Sequence, residues 1–402
     1  MPQVSIIIPT YNRADTILRA IDSVLAQTFT DWELIIINDG STDNTEALLT
    51  GLDGRVKVIH QPNGGVTVAR NTGLRHATGD FFAFLDSDDQ WRSYHLELCL
   101  SFLNAHPQAK LVSCELHEDF GNGRVLTHYQ VELSHWYLHT ARLIGSKLLD
   151  LPAGENDCYL RVYNQRHPMG EWGQPILQRW KITDSAHYEG DIFQSWRWGF
   201  LMWLPTTVLR REVVEKIGEF SSRYPICSDF DWMAEACRHY KMHFLSVPTG
   251  IKHDLAVGGK KLAEGHIAKD KTASVAALDM LHHLENNYCH LDPEDAELAA
   301  LRSHKQHYLA QVQLARGLRG EALFYLKQAW KNSPEKGRVA RLWLLAALVP
   351  HARLCQQIYS ALRRVAYSAG MISRGELSLF RLLAKLPRKL LRLDKEPNLQ
   401  RA

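Results

Sequence analysis

Apolar runs and helical periodicities take turns along the first 120 residues. Val4–Ile8 is a short run rich in β-branched residues that ends at Pro9, the pattern of a strand buried on both faces. In Asp15–Gln27, Ile17, Ile21, Val24 and Leu25 recur at helical spacing. Glu33–Asn38 predicts a second buried strand and runs into the turn cluster Asp39-Gly40-Ser41-Thr42-Asp43. Arg55–His60 predicts a third strand. Pro62-Asn63-Gly64-Gly65 turns into a helix over Thr67–Ala77, and Phe81–Leu85 is a fourth strand ending in Asp86-Ser87-Asp88-Asp89. Leu96–Asn104 reads as a helix and Ala109–Glu115 as a fifth strand.

Strands that alternate with helices predict a mainly parallel sheet covered on both faces. Ligands of such sheets bind outside the carboxyl ends of the strands. The polar residues collect there: Thr10 to Arg13 after the first strand, Asp39 after the second, Asp86 to Asp89 after the fourth. Residues 118–205 show no clear period. They carry Trp136, Trp172, Trp180, Trp196, Trp198 and Trp203, expected mostly as core, with an aromatic platform for a ligand as the alternative. A strand over Leu204–Arg210, helices over Arg211–Ile217 and Asp229–Tyr240, and a strand near Met242–Val247 follow. From Ala273 onward the pattern is helical, and Ala322, Ala329 and Pro334 have the spacing of one tetratricopeptide-like hairpin.

Composition sharpens this picture in one respect. The chain of 402 residues has a net charge of +3, unevenly distributed. From Ala300 on there are 20 Lys+Arg against 5 Asp+Glu, which leaves 27 against 39 for the preceding residues. An acidic front and a basic tail predict two parts with different partners. Seven cysteines without a C-x-x-C pattern predict reduced thiols, not a disulfide framework. The start MPQVSIIIPTYNR lacks a signal-peptide pattern, and Leu342–Pro350 falls short of the ~20 apolar residues of a spanning helix. The expectation is a cytoplasmic protein, peripheral on the inner face of the membrane if its tail binds there.

Residues two apart on a strand point the same way, so Asp86 and Asp88 can aim two carboxylates at one point. Hard oxygen donors suit Mg²⁺ or Mn²⁺ held together with substrate phosphates. An exposed turn is the plainer reading, weakened by the apolar strand FFAFL that delivers the cluster to a ligand-binding edge. Asp39 reads equally as a ligand contact at the strand end or as a turn or capping residue, Tyr11 as packing or as a base-stacking ring, and Arg70 as a solvated helix residue or a diphosphate contact.

Three ordered blocks carry a resemblance: VSIIIPTYNR (4–13), ELIIINDGSTDNT (33–45) and NGGVTVARNTGLRHATGDFFAFLDSDDQW (63–91). Over roughly the first 115 residues the chain resembles family 2 glycosyltransferases of the GT-A fold. The resemblance implies an inverting, metal-dependent transfer from a nucleotide-sugar, usually a UDP-sugar. It places Thr10, Tyr11, Arg13, Asp39, Arg70 and Asp86 around the nucleotide. Asp39 would accept from the uracil ring, and Asp86 and Asp88 would be the D-x-D pair, with Asp88 the direct ligand of Mn²⁺ or Mg²⁺. More weakly, Ile217-Gly218-Glu219-Phe220 and Ser228-Asp229-Phe230-Asp231 match a later block in which Asp229 is the catalytic base. Ser228 stands where that block usually has Glu. His253 matches a histidine that contacts the metal or diphosphate in some members. Helix capping is the plain alternative for Ser228 or Asp229.

These readings predict a GT-A-like α/β domain over 1–270, with a nucleotide half to 117 and an acceptor half with a Trp-rich insertion beyond it. A basic, all-helical domain over 271–402 would follow. The expected function is sugar transfer to a glycan or lipid-linked acceptor, by analogy in bacterial surface polysaccharide or lipopolysaccharide assembly. The alternatives are a catalytically inactive scaffold or another nucleotide-dependent transferase. G-x-G-x-x-G is missing after the first strand, against a dinucleotide oxidoreductase. Glu171 and Asp191 could touch acceptor hydroxyls. Leu377–Leu393 mixes Leu with Arg and Lys and could lie on an anionic membrane. No recognition motif accompanies the charge, so nucleic acid is not an expected partner.

Overall fold

Strands β1 (Val4–Thr10), β2 (Trp32–Asp39), β3 (Val56–Gln61) and β4 (Phe81–Phe84) run parallel in the order β3-β2-β1-β4. The computed structural model describes residues 2–119, 125–126, 157, 159–197, 201–253, 271–289, 294–333 and 336–348. Every residue of β1 is buried, which is why its sequence is a continuous apolar run and not an alternation. Period-two geometry still sorts the side chains by face. Ile6, Ile8, Leu34, Ile36, Phe81 and Ala83 join one core with Ile17, Ala20, Ile21 and Val24 of helix α1 (Ile17–Leu25). Ile7, Ile35, Ile37, Phe82 and Phe84 join the other, with Ala69 and Leu74 of α3 (Val66–His76). Between them in sequence lies the short α2 (Thr45–Leu48). Gly73 lets α3 sit close on the sheet: a Cβ there would meet Ile7 Cγ2 at 2.4 Å.

The sheet continues through β10 (Thr207–Arg210), β6 (Leu111–Asp119), β11 (Met242–His253), β9 (Ala186–Gly190) and β8 (Gln165–Pro168). Strand β10 is antiparallel to both β4 and β6, whereas β11 is parallel to β6. The two-residue strands β5 (Gln90–Trp91) and β7 (Val125–Leu126) pair with β11 and β6. The fold is therefore α/β, with a mixed sheet flanked by helices and further helices towards the C-terminus. Helix α4 (His95–Ala105) covers the β6 side, and α5 (Leu160–Tyr163), α6 (Gln174–Trp180) and α7 (Phe193–Trp196) lie in the stretch that showed no sequence period.

Several boundaries differ from expectation for identifiable reasons. Strand β1 runs through Pro9 to Thr10 instead of stopping at Ile8. The Ile7 carbonyl accepts from Leu85 N on the β4 side, where the ladder ends, so the missing N–H of Pro9 breaks no ladder bond. Leu204–Thr206 is a 3-10 turn with Pro205 inside it, and the strand begins only at Thr207. Strand β11 does not stop at Val247. Register shifts around Pro248 and Gly250 carry it on to His253. Of the tryptophans, Trp196 is fully buried core while Trp180 is exposed; Trp136 and Trp198 lie outside the described residues.

Helices α8 (Arg211–Ile217) and α9 (Ser228–His239) cover the second of these cores, beside α3. Beyond the sheet come α10 (Lys271–Leu284), a π-helical turn over Glu285–Cys289, α11 (Ala296–Ala315), α12 (Arg319–Asn332) and α13 (Lys336–Leu348). Leu284, Tyr288, Leu298 and Leu301 share one core with Trp196 and Phe230. Asp295 caps α11 by accepting from Glu297 N and Leu298 N. Ala322 and Ala329 are buried on α12, and Ser303 Oγ donates to Ala329 O at 2.7 Å, the close approach expected of the hairpin. Pro334 and the basic stretch Leu377–Leu393 lie outside the described residues. Cys99, Cys114, Cys227, Cys237 and Cys289 are free thiols. Among the described residues, no helix is long and apolar enough to cross a membrane.

Candidate active site

The carboxyl ends of β1, β2 and β4 lie side by side, since Thr10 pairs with Asn38 and Ile7 with Phe84. The loop after β1 is built by Asn12, whose backbone is left-handed (φ 51°), a conformation its short polar side chain tolerates. Asn12 Oδ1 accepts from Thr42 N at 2.8 Å and Asp43 N at 3.3 Å, and Asn12 N donates to Ser41 Oγ at 3.0 Å. Arg13 N donates to Thr45 Oγ1 at 2.8 Å, while the Arg13 guanidinium reaches Asp88 Oδ2 at 3.2 Å. Arg13 thus links the loop after β2 to the acidic loop after β4. Tyr11 is exposed at this rim, and buried Thr10 keeps Oγ1 without a hydrogen-bond partner.

Asp39 is not the cap of its own turn, as one sequence reading allowed. Its buried carboxylate takes Gln61 Nε2 at 2.7 Å and Gly64 N at 2.9 Å on Oδ1, and Gly65 N at 2.8 Å on Oδ2. It pins the glycine turn that opens α3, where Gly65 has φ +85°. A carboxylate offers about four acceptor sites, so Oδ2 can still accept one further N–H.

Arg70 is not a solvated helix residue. It is buried, with Nη2 3.0 Å from Asp86 Oδ1 and Nη1 3.8 Å from Asp229 Oδ2. Its guanidinium lies over the Phe220 ring, 5.7 Å from the centroid. Phe220 is held by a reciprocal pair with Asn71, Nδ2 donating to Phe220 O at 2.9 Å and Oδ1 accepting from Phe220 N at 2.8 Å. It also stacks on Trp232, whose Nε1 donates to Gly218 O. The Gly218–Phe220 turn therefore sets where α9 stands, and with it Asp229.

Neither Ser228 nor Asp229 caps α9. The Ser228 hydroxyl is buried and accepts from Thr67 Oγ1 at 2.9 Å. Asp229 Oδ1 takes the adjacent Phe230 N at 2.8 Å. The amides of Ile226 and Cys227, ahead of the helix, go to Asp279 Oδ2 on α10. No local sequence signal could have shown that pairing across 52 residues. Burial raises the pKa of Asp229, Arg70 holds it down and Asp86 raises it again.

The acidic loop is crowded. Burial and Asp86 raise the pKa of half-exposed Asp88, opposed by Arg13 and by Arg19, whose Nη2 also donates to the Asp88 carbonyl at 2.7 Å. Burial, Asp86 and Asp88 push buried Asp89 well up, opposed by the His253 N–H and Lys252. His253 arrives at the end of β11. Its Nε2 donates to Gln90 Oε1 at 2.7 Å, which leaves the neutral ring's lone pair on Nδ1, buried without a hydrogen-bond partner and 3.5 Å from Asp119 Oδ2. Oxygen donors that repel one another, with an orphaned imidazole nitrogen nearby, fit a hard divalent cation. Asp191 accepts from Phe193 N in its own turn, and Glu171 is exposed on the surface.

Residues 5–166 match the family described as Glycosyl transferase family 2. This chain carries a family 2 glycosyltransferase domain. The glycosyltransferase domain is 46% identical over 102 residues to the UDP-Glc:alpha-D-GlcNAc-diphosphoundecaprenol beta-1,3-glucosyltransferase WfgD of Escherichia coli, a match covering 25% of this chain and 40% of that protein. It is 44% identical over 106 residues to the putative teichuronic acid biosynthesis glycosyltransferase TuaG of Bacillus subtilis, covering 25% and 42%. The chain thus spans less than half the length of these curated relatives. The crystal structure of S. aureus TarS 1-349 with UDP-GlcNAc aligns at a TM-score of 0.47 and 17% identity, over 92% of each chain.

Proposed function

We propose that the chain is an inverting glycosyltransferase that moves a sugar from a UDP-sugar to a glycan or lipid-linked acceptor in bacterial surface polysaccharide assembly. The observation that carries the reading is Arg70, one buried guanidinium set between Asp86 of the D-x-D loop and Asp229 of α9. The E. coli relative, named for a UDP-Glc donor and a diphosphoundecaprenol-linked acceptor, supports a UDP-linked donor and a lipid-diphosphate acceptor.

Thr10, Tyr11, Arg13 and the free acceptor site of Asp39 would hold the nucleotide. Asp88 and Asp86, with His253 as a further candidate ligand, would hold Mn²⁺ or Mg²⁺, which would supply Lewis-acid stabilisation of the departing diphosphate. Arg70 adds fixed positive charge at that point. Asp229 accepts the proton of the acceptor hydroxyl as it attacks the anomeric carbon opposite the leaving group, and the configuration inverts.

A panel of UDP-sugars tests this. Mn²⁺-dependent release of UDP from one of them is expected, reduced by about a hundredfold or more in Asp88→Ala, the scale of losing one preorganised charge contact. No UDP binding by calorimetry and no hydrolysis across the panel would refute the reading. We further propose that residues 1–270 carry the transfer and that Leu377–Leu393 holds the protein on anionic membrane. Truncation from residue 377 should lower sedimentation with phosphatidylglycerol vesicles, and unchanged sedimentation would exclude the membrane role.

A further inference from the structure

A second cluster of ligating side chains lies at the other end of β11. Strand β9 presents His187 and Glu189 two residues apart, hence on one face. Its neighbours place a histidine opposite each of them. His243 of β11 pairs in register with Glu189, and His167 of β8 pairs with His187. His187 and His243 are buried. His187 Nε2 and His243 Nδ1 are 3.0 Å apart, and His243 Nδ1 is 3.4 Å from Glu189 Oε2. His167 Nε2 lies 3.7 Å from Glu189 Oε1 on a ring that is half exposed. From α4, His106 sits with its ring 5.6 Å from that of His187. Its Nδ1 donates to Phe102 O at 2.9 Å, which fixes the tautomer as metal-site histidines are fixed by an outer partner. Phe102 packs edge-on to His187 and closes the apolar side.

We propose that His187, His243 and Glu189 form the protein ligands of a structural zinc site that ties β9 to β11, with the half-exposed His167 ring of β8, beside Glu189, free to turn towards the fourth position. In a tetrahedron with metal–ligand bonds of about 2.0–2.2 Å, ligand atoms are about 3.3–3.5 Å apart. The 3.0 and 3.4 Å separations here already approach those edges. Imidazole nitrogens with one carboxylate select zinc over the oxygen-seeking Mg²⁺ and Mn²⁺. Burial and the neighbouring imidazoles hold His187 down to about 3, and burial holds His243 down to about 4 despite Glu189. Both rings are then neutral, the form that ligates metal. Lys241, 3.3 Å from Glu189 Oε1, is exposed and can swing away. His243 and His253 stand ten residues apart on one strand, about 30 Å at strand rise, so this metal is separate from the one at the acidic loop.

The test uses the full chain carrying Asp88→Ala, so that the acidic loop does not compete for metal. Calorimetry with ZnCl₂ should show one ion per chain, and Co²⁺ should give the visible absorption of a tetrahedral site without thiolate charge-transfer bands. Zinc should raise the melting temperature. Glu189→Gln, nearly isosteric and partly exposed, and His243→Ala should each weaken zinc at least tenfold, and in Glu189→Gln zinc should no longer raise the melting temperature. A folded parent without stoichiometric zinc would reduce the cluster to a hydrogen-bonded histidine pair. Binding unaffected by either substitution would overturn the assignment. So would a cobalt spectrum with thiolate bands, which would place the ion at buried His95, Cys99 and Cys114.

Discussion

Asp229→Asn should abolish most sugar transfer while leaving UDP binding intact, with kcat falling about 10²–10⁴-fold, the range of a lost general base. The amide keeps an oxygen for Phe230 N, so the local fold of α9 is preserved and the loss reports on proton transfer. In the parent protein, burial raises the pKa of Asp229. The base must be ionised, so the acid limb of kcat should lie above the ordinary Asp value of about 3.9, with activity falling as pH drops through it. In Asp229→Asn that limb should vanish from the residual rate. Full turnover by the variant in a transfer assay would remove Asp229 from the mechanism.

Arg70→Met should be the most damaging single change to the rim. The methionine fills the space over Phe220 but leaves Asp86 and Asp229 without their shared cation. Removing one partner of a buried ion pair costs about 3–5 kcal/mol; solvent reaches both carboxylates here, so about 2–4 kcal/mol is expected. Arg70 lowers the Asp229 pKa, so its loss raises that pKa further. The stability deficit should then be full at pH 7 and shrink as pH falls through the raised value, because protonation removes the unpaired charge. Urea unfolding at several pH values measures this. A deficit independent of pH would mean that packing, not charge, is what Arg70 contributes. In turnover, the acid limb should shift upward relative to the parent.

The first four strands and their helices were legible because their signals are local. Runs such as VSIII and ELIIIN are buried on both faces, and the polar residues that end them fall on one rim. The contacts that organise that rim were not legible. Asp39 serves the glycine turn of the next helix, Asn12 ties two loops in a left-handed conformation, and Asp279 anchors the start of α9 from 52 residues away. Each depends on backbone amides brought close by tertiary structure, and no spacing along the chain encodes them. The stretch 159–197 was opaque for a related reason. Its strands are four or five residues long, too short for a period to stand out. The full length of β11 was hidden by Pro248 and Gly250, which look like an ending and act as bulges.

The bond from Asp279 to the amides of Ile226 and Cys227 bears on how such proteins can be recombined. Helix α10 is the strut on which the start of α9, and with it Asp229, rests. A chimera that grafts this nucleotide half onto a foreign helical appendage would inherit donor recognition but would have to rebuild that strut before it could turn over. A junction placed beyond α11 would leave that contact untouched, whereas one placed before α10 would remove it.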